Sequence, residues 1–156
     1  FNDIGSTFQK QVQRYEKIRD VISVSPMSGS DILKIDTSLD IFVLVQMSSK
    51  GNLFTREVSK SIMDMVTFEK LEGNENIKGI ICQNQEFINT DLPVLTIKPG
   101  INLSATGDSL GQCYSNLSGD LPNMIVVGRG ITLSQNPAEE IQKYKVERKS
   151  QKIAKF

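Results

Sequence analysis

The chain has 156 residues, 38% of them apolar and 23% charged, a balance that suits one domain with a genuine hydrophobic core. Its 18 basic residues equal its 18 acidic ones, so no bulk field favours nucleic acid, and no apolar run reaches the roughly 18 residues of a membrane helix. With no histidine and only two cysteines, Ser-His-Asp and Cys-His catalysis and ordinary zinc sites are excluded.

Any chemistry must then use Asp, Glu, Lys, Arg, Ser and backbone groups. Residues 1–20 lack the basic start, apolar stretch and small-residue cleavage site of a signal peptide. A cytoplasmic protein is expected, with Cys82 and Cys113 as separate thiols rather than a disulfide.

In chain order, Phe8, Val12, Tyr15 and Ile18 fall at helical spacing and predict a helix over 7–18. A short strand is expected over 21–25, then a turn at Met27-Ser28-Gly29-Ser30 and one short helix over 31–37. The run Ile41-Phe42-Val43-Leu44-Val45 is apolar without alternation, as in a strand buried on both faces. The polar loop Ser48–Asn52 leads into a helix over 54–71 with Val58, Ile62, Met65 and Val66 as its apolar stripe.

The rhythm repeats with strands over 77–82, 94–97 and 124–127, the last two stopped by Lys98-Pro99-Gly100 and Gly128-Arg129-Gly130. The final helix has Asn136 as N-cap, Pro137 in its first turn and Glu139 and Glu140 at its positive end. It continues into a basic tail over 146–156, expected to be a solvated helix end rather than a nucleic-acid contact. Buried strands joined by long crossovers pair in parallel, so the fold class is α/β.

Ligands of parallel α/β folds bind outside the carboxyl ends of the strands. Polar, glycine-bearing clusters follow three of the predicted strands: Gln46-Met47-Ser48-Ser49, Lys98-Pro99-Gly100 and Gly128-Arg129-Gly130. Gly128 and Gly130 allow either a tight turn or close approach of backbone N–H groups to an anion, and Arg129 adds a forked cation. Between the last two strands, Gln112 offers an amide edge and Tyr114 a hydroxyl.

These segments carry a resemblance. Phe1-Asn2-Asp3-Ile4-Gly5-Ser6-Thr7 resembles the Phe-x-Asp-Ile-Gly-Asn-Thr segment of orotidine 5′-phosphate decarboxylases, which also form the C-terminal domain of UMP synthases. Met47–Leu53 is similar to the family's pyrimidine-reading serine loop, and Lys98-Pro99-Gly100-Ile101 to its Thr-Pro-Gly-Val turn, with Lys98 a departure. Gly107-Asp108-Ser109-Leu110-Gly111-Gln112-Cys113-Tyr114 is similar to its Gly-Asp-x-Leu-Gly-Gln-Gln-Tyr loop, and Ile125–Ile131 to its phosphate-binding strand.

The resemblance implies a TIM (β/α)8 barrel, with residues 1–145 supplying about strands 4 to 8. It implies decarboxylation of orotidine 5′-phosphate to UMP, without metal or organic cofactor, in a homodimer with no nucleic-acid or membrane partner. Ser48 would contact the pyrimidine, Gln112 would bridge pyrimidine and phosphate, and Tyr114 and Arg129 would hold the phosphate. Catalytic Asp3 and substrate-binding Thr7 would reach across the dimer interface. Of the family's Asp-x-Lys-x-x-Asp core only Asp3 is present; the proton-donating lysine would directly precede Phe1.

A TIM barrel takes about 250 residues, and five strands cannot close one. Three readings stay open: part of an active decarboxylase, a catalytically dead relative that binds a nucleotide phosphate or serves structurally, or a self-contained doubly wound domain.

Overall fold

The computed structural model describes residues 3–104, 107–109 and 111–153. Of the segments singled out above, Phe1, Asn2, Leu110 and residues 105–106 and 154–156 lie outside the described residues. Five strands, β1 (Val21–Val24), β2 (Asp40–Leu44), β3 (Ile77–Ile81), β4 (Leu95–Lys98) and β5 (Met124–Ile125), form one sheet in the order β1-β2-β3-β4-β5. All four pairings are parallel. The helices are α1 (Gly5–Gln13), α2 (Arg56–Leu71), α3 (Gln85–Ile88), α4 (Arg129–Thr132) and α5 (Pro137–Ile153). No helix among the described residues is long and apolar enough to cross a membrane.

The main core lies between one face of the sheet and the helices. Ile22, Val24, Ile41, Val43 and Ile80 from the strands join Phe8 and Val12 of α1, Ile62 and Val66 of α2, and Phe87 of α3 in a single buried cluster. In β2, Ile41, Phe42 and Val43 are all buried, so this strand is covered on both faces, as its unbroken apolar run requires. A second, smaller cluster of Ile101, Leu117 and Tyr144 holds α5 near the end of β5. On the face away from the main core, Phe42 lies across Gly79, while Leu95 and Met124 stay 43% and 46% exposed.

Helix α2 shows how local sequence sets both ends. The Thr55 side chain accepts the Val58 N–H at 3.3 Å, Glu57 sits in the first turn and Lys70 in the last. Gly73 at φ 87° then closes it, its N–H meeting the Lys70 carbonyl at 3.1 Å while Asn74 N–H meets that of Glu69 at 3.0 Å. This paired arrangement satisfies carbonyls that the helix end would leave bare. Thr55→Ala is expected to lower stability by about 1 kcal/mol, read as a shifted urea midpoint at constant slope.

Four local expectations need correction. The predicted 7–18 helix stops at Gln13, where the bonding tightens to Arg14 N–H on Gln11 and Tyr15 N–H on Val12. Tyr15 and Ile18 are exposed, so the buried stripe has only Phe8 and Val12. The helix expected over 31–37 is a single 3₁₀ turn, Ser30–Leu33. Beyond it, Thr37 gives its hydroxyl to Glu16 at 2.6 Å and accepts Leu39 N–H at 3.2 Å.

The strand expected over 124–127 pairs only through Met124 and Ile125, with one further bond from Val126 N–H to the Lys98 carbonyl. Val127 leaves the ladder to pack in the second cluster. Finally, Lys98 belongs to β4 rather than to the turn after it. It is 8% exposed, and burial lowers its ammonium pKa, against the opposing influence of Cys82.

Candidate functional site

Parallel pairing puts every strand's carboxyl end on one side of the molecule, and the polar clusters of the sequence meet there. Buried Gln46, just after β2, accepts the N–H groups of Gln83 and Asn84 at 2.9 and 2.8 Å. Gln83 in turn gives its amide N–H to the Pro99 carbonyl at 3.2 Å. These bonds tie together the ends of β2, β3 and β4 and satisfy buried polar groups that would otherwise cost stability.

Residues 107–109 and 111–115 lie across this framework. Cys113 N–H reaches the Ser48 carbonyl at 2.7 Å, Ser115 N–H the Gly100 carbonyl at 2.9 Å, and Lys50 N–H the Gly111 carbonyl at 2.9 Å. Gly100, at φ 71°, permits the close approach: a Cβ there would stand 2.9 Å from Ser48 Cβ. The outcome is a cavity of about 290 Å³ lined by Pro99, Gly100, Gln112, Tyr114, Gly128 and Arg129, among others.

At this cavity, lining side chains join Ser48 and Asp108 in a continuous chain of donors and acceptors. Gln112 donates its amide N–H to Ser48 Oγ at 3.0 Å, and its amide oxygen accepts from Arg129. Arg129 also pairs with the Asp108 carboxylate, and its guanidinium lies 5.8 Å from the centre of the Tyr114 ring. Tyr114 donates its hydroxyl to Asp108 at 2.7 Å, a bond that holds the phenol proton above the ordinary tyrosine range. Asp108 accepts the Gln112 backbone N–H as well, at 3.1 Å.

Four of the residues singled out in the sequence, Ser48, Gln112, Tyr114 and Arg129, are thus in one place. Gly128 is the N-cap of α4, and Gly130 packs closely on Tyr144, whose hydroxyl a Cβ would meet at 2.5 Å. Asp3 and Thr7 sit at the β1 edge of the sheet. There Ser28 donates its hydroxyl to the Asp3 carbonyl at 2.7 Å, Gln11 its side-chain amide to the Asp3 carboxylate at 3.2 Å, and Thr7 is exposed on α1.

Cys82 and Cys113 are free thiols, the first buried with its pKa pushed up to about 12 and the second exposed. Among the described residues no three His, Cys, Asp or Glu side chains gather where they would share a metal ion.

Sequence reasoning gave no role to Asp108, Gln46 or Gln83, although Asp108 and Gln46 lie in segments it singled out. Asp108 carried a signal: it precedes Gln112 by four residues and Tyr114 by six, the span of a tight hairpin that returns side chains to one carboxylate. Gln46 and Gln83 carried only their positions at strand ends.

Comparison with known proteins bears on the whole assembly. The profile of the orotidine 5′-phosphate decarboxylase / HUMPS family matches residues 1–144. The chain is 29% identical over 159 residues to an orotidine 5′-phosphate decarboxylase of Aureobasidium pullulans, covering 94% of this chain and 57% of that protein. It is 29% identical over 163 residues to a uridine 5′-monophosphate synthase of Caenorhabditis elegans, covering 93% of this chain and 32% of that protein. It therefore spans 57% of the length of the first of these relatives and 32% of the second.

In three dimensions it is similar to the orotidine 5′-monophosphate decarboxylase of Methanocaldococcus jannaschii complexed with inhibitor BMP. The TM-score is 0.66 at 22% identity, over 94% of this chain and 69% of that one. That likeness carries the fold: the five parallel strands are part of a TIM barrel.

Proposed function

Because the chain belongs to the orotidine 5′-phosphate decarboxylase / HUMPS family, we propose that it supplies the pyrimidine- and phosphate-holding side of an orotidine 5′-phosphate decarboxylase. One observation carries this reading. The hydrogen-bonded series Ser48–Gln112–Arg129 joins a neutral hydroxyl at one end to a forked cation at the other, with an amide able to serve both between them. A ligand matched to that series has a polar heterocycle at the Ser48 end and an anion at the Arg129 end, as a pyrimidine nucleotide does.

In this reading Ser48 hydrogen-bonds the pyrimidine, Gln112 reads both parts, and Tyr114 and Arg129 grip the phosphate, with Gly128 and Gly130 letting backbone approach it. The C6 carboxylate leaves as CO2, and its electron pair stays on C6. A lysine ammonium outside these 156 residues stabilises that carbanion and protonates it, giving UMP with no cofactor. The phosphate, remote from C6, contributes binding energy that is expressed in the transition state. Asp3 and Thr7 serve the site of a second subunit across a homodimer interface, and the reaction belongs to pyrimidine biosynthesis.

The test is the fall in ultraviolet absorbance as orotidine 5′-phosphate loses its carboxylate, followed with the protein carrying its native N terminus. Turnover is expected. UMP binding without turnover would remove the decarboxylase assignment and leave a nucleotide-binding relative, and absence of both would remove the site assignment too.

A further inference from the structure

The anion end of the site already holds an anion. Both carboxylate oxygens of Asp108 are engaged, one by the Tyr114 hydroxyl and Arg129, the other by the Gln112 backbone N–H. The Tyr114 hydroxyl and the Arg129 guanidinium, the two groups assigned above to the ligand's phosphate, both point at this single side chain. We propose that Asp108 is an internal competitor for the phosphate subsite, and that a ligand must carry a strong anion to displace it. The inference rests on the reading of Arg129 and Tyr114 as phosphate-holding groups.

The physical case has three parts. First, a guanidinium fork accepts carboxylate and phosphate with the same geometry, so the two compete for one set of donors, and the phosphate dianion brings more charge and more acceptor oxygens. Second, the pair is not fully enclosed: the Arg129 side chain is 34% exposed and that of Asp108 20%. Water can therefore solvate the carboxylate as it leaves. Third, the Asp108 backbone is tied to its own segment, its N–H reaching the Gln112 carbonyl at 3.1 Å and its carbonyl accepting the N–H of Gly111, which stands at φ 82°.

The consequence is selectivity. A competitor that occupies the subsite lowers apparent affinity by the fraction of protein in which the subsite is open. A phosphorylated ligand recovers that loss by displacing Asp108, whereas an uncharged nucleoside reaches the Ser48 end and leaves the Asp108 contacts intact. Phosphate binding also breaks the bond between Asp108 and Gln112 N–H, so occupancy of the subsite is coupled to the position of the Gln112 segment.

Calorimetric titration of the wild-type protein and Asp108→Asn with UMP, inorganic phosphate and uridine tests this. Asparagine keeps an acceptor for Tyr114 and Gln112 but removes the charge. The expected result is UMP and phosphate binding tighter by about tenfold in the variant, as for a subsite open about a tenth of the time, with uridine affinity unchanged. Equal or weaker UMP and phosphate binding in Asp108→Asn would overturn the inference while leaving the nucleotide site standing.

Tighter phosphate binding without any UMP binding would sustain the competition and remove the nucleotide reading. No binding of either anion to either protein would remove both. If Asp108→Asn fails to fold, the wild-type amide spectrum decides: saturating phosphate is expected to shift the Gln112 amide resonance, and an unmoved resonance overturns the displacement.

Discussion

Arg129→Ala is expected to weaken UMP binding by about 2 to 5 kcal/mol, roughly 30-fold to several thousand-fold in Kd. Two effects add. The variant loses the forked cation, and it removes the guanidinium that offsets the Asp108 carboxylate, whose charge then opposes an incoming phosphate. Uridine, which lacks the phosphate, is expected to change little, so the ratio of UMP to uridine affinity is the sensitive readout in a calorimetric titration. Arg129→Lys restores charge but not the fork and is expected to fall between wild type and alanine. Unchanged UMP affinity in Arg129→Ala would discard the phosphate-site assignment. The double variant with Asp108→Asn is expected to be non-additive, because the two side chains share one ion pair.

The second large effect is structural. Gly79 sits in β3 opposite Phe42 on one side and Leu95 on the other. A Cβ there would stand 2.3 Å from Phe42 Cε1 and 2.8 Å from the Leu95 carbonyl oxygen. The ring can turn aside, but the carbonyl belongs to the paired strand and moves only with β4. Gly79→Ala is expected to cost about 3 kcal/mol through this overpacking, seen as a lower urea midpoint with little change in slope. Phe42→Leu in the same chain is expected to return only part of the loss, since it clears the ring contact and not the backbone one. Full recovery would show that the backbone of β4 adapts freely.

How much of this was legible beforehand depended on how locally each feature is determined. The β2 strand was readable because Ile41, Phe42 and Val43 are all buried, and an unbroken apolar run has one sensible use in an α/β chain. The start of α5 was readable as well: Asn136 accepts the Glu139 N–H at 3.4 Å, a bond set by residues three apart. The end of α1 was not, because Tyr15 and Ile18 keep helical spacing while facing solvent, and periodicity does not reveal which apolar residues find a partner.

The site divides in the same way. Ser48, Gln112, Tyr114 and Arg129 were identifiable from motifs at strand ends. Their mutual contacts join residues up to 64 positions apart and exist only once the sheet is assembled. Asp108 was hidden for a related reason. An aspartate beside glycine reads as an ordinary turn residue, and only the tertiary structure shows that it faces a cation.

The order of the sheet has a kinetic meaning. Each strand pairs with the strand that precedes it in sequence, so no pairing waits for a segment made much later. The loop closed at each step is one crossover, and the entropy of closure grows only logarithmically with its length. Parallel sheets assemble slowly when distant strands must find one another. Among these five strands growth can follow the direction of synthesis, β3 adding to β2, then β4 to β3 and β5 to β4. The segment carrying Asp108 and Gln112 leaves β4 and returns to β5, so in that order of growth the anion subsite would form after the ends of β2 and β3 are held by Gln46 and Gln83.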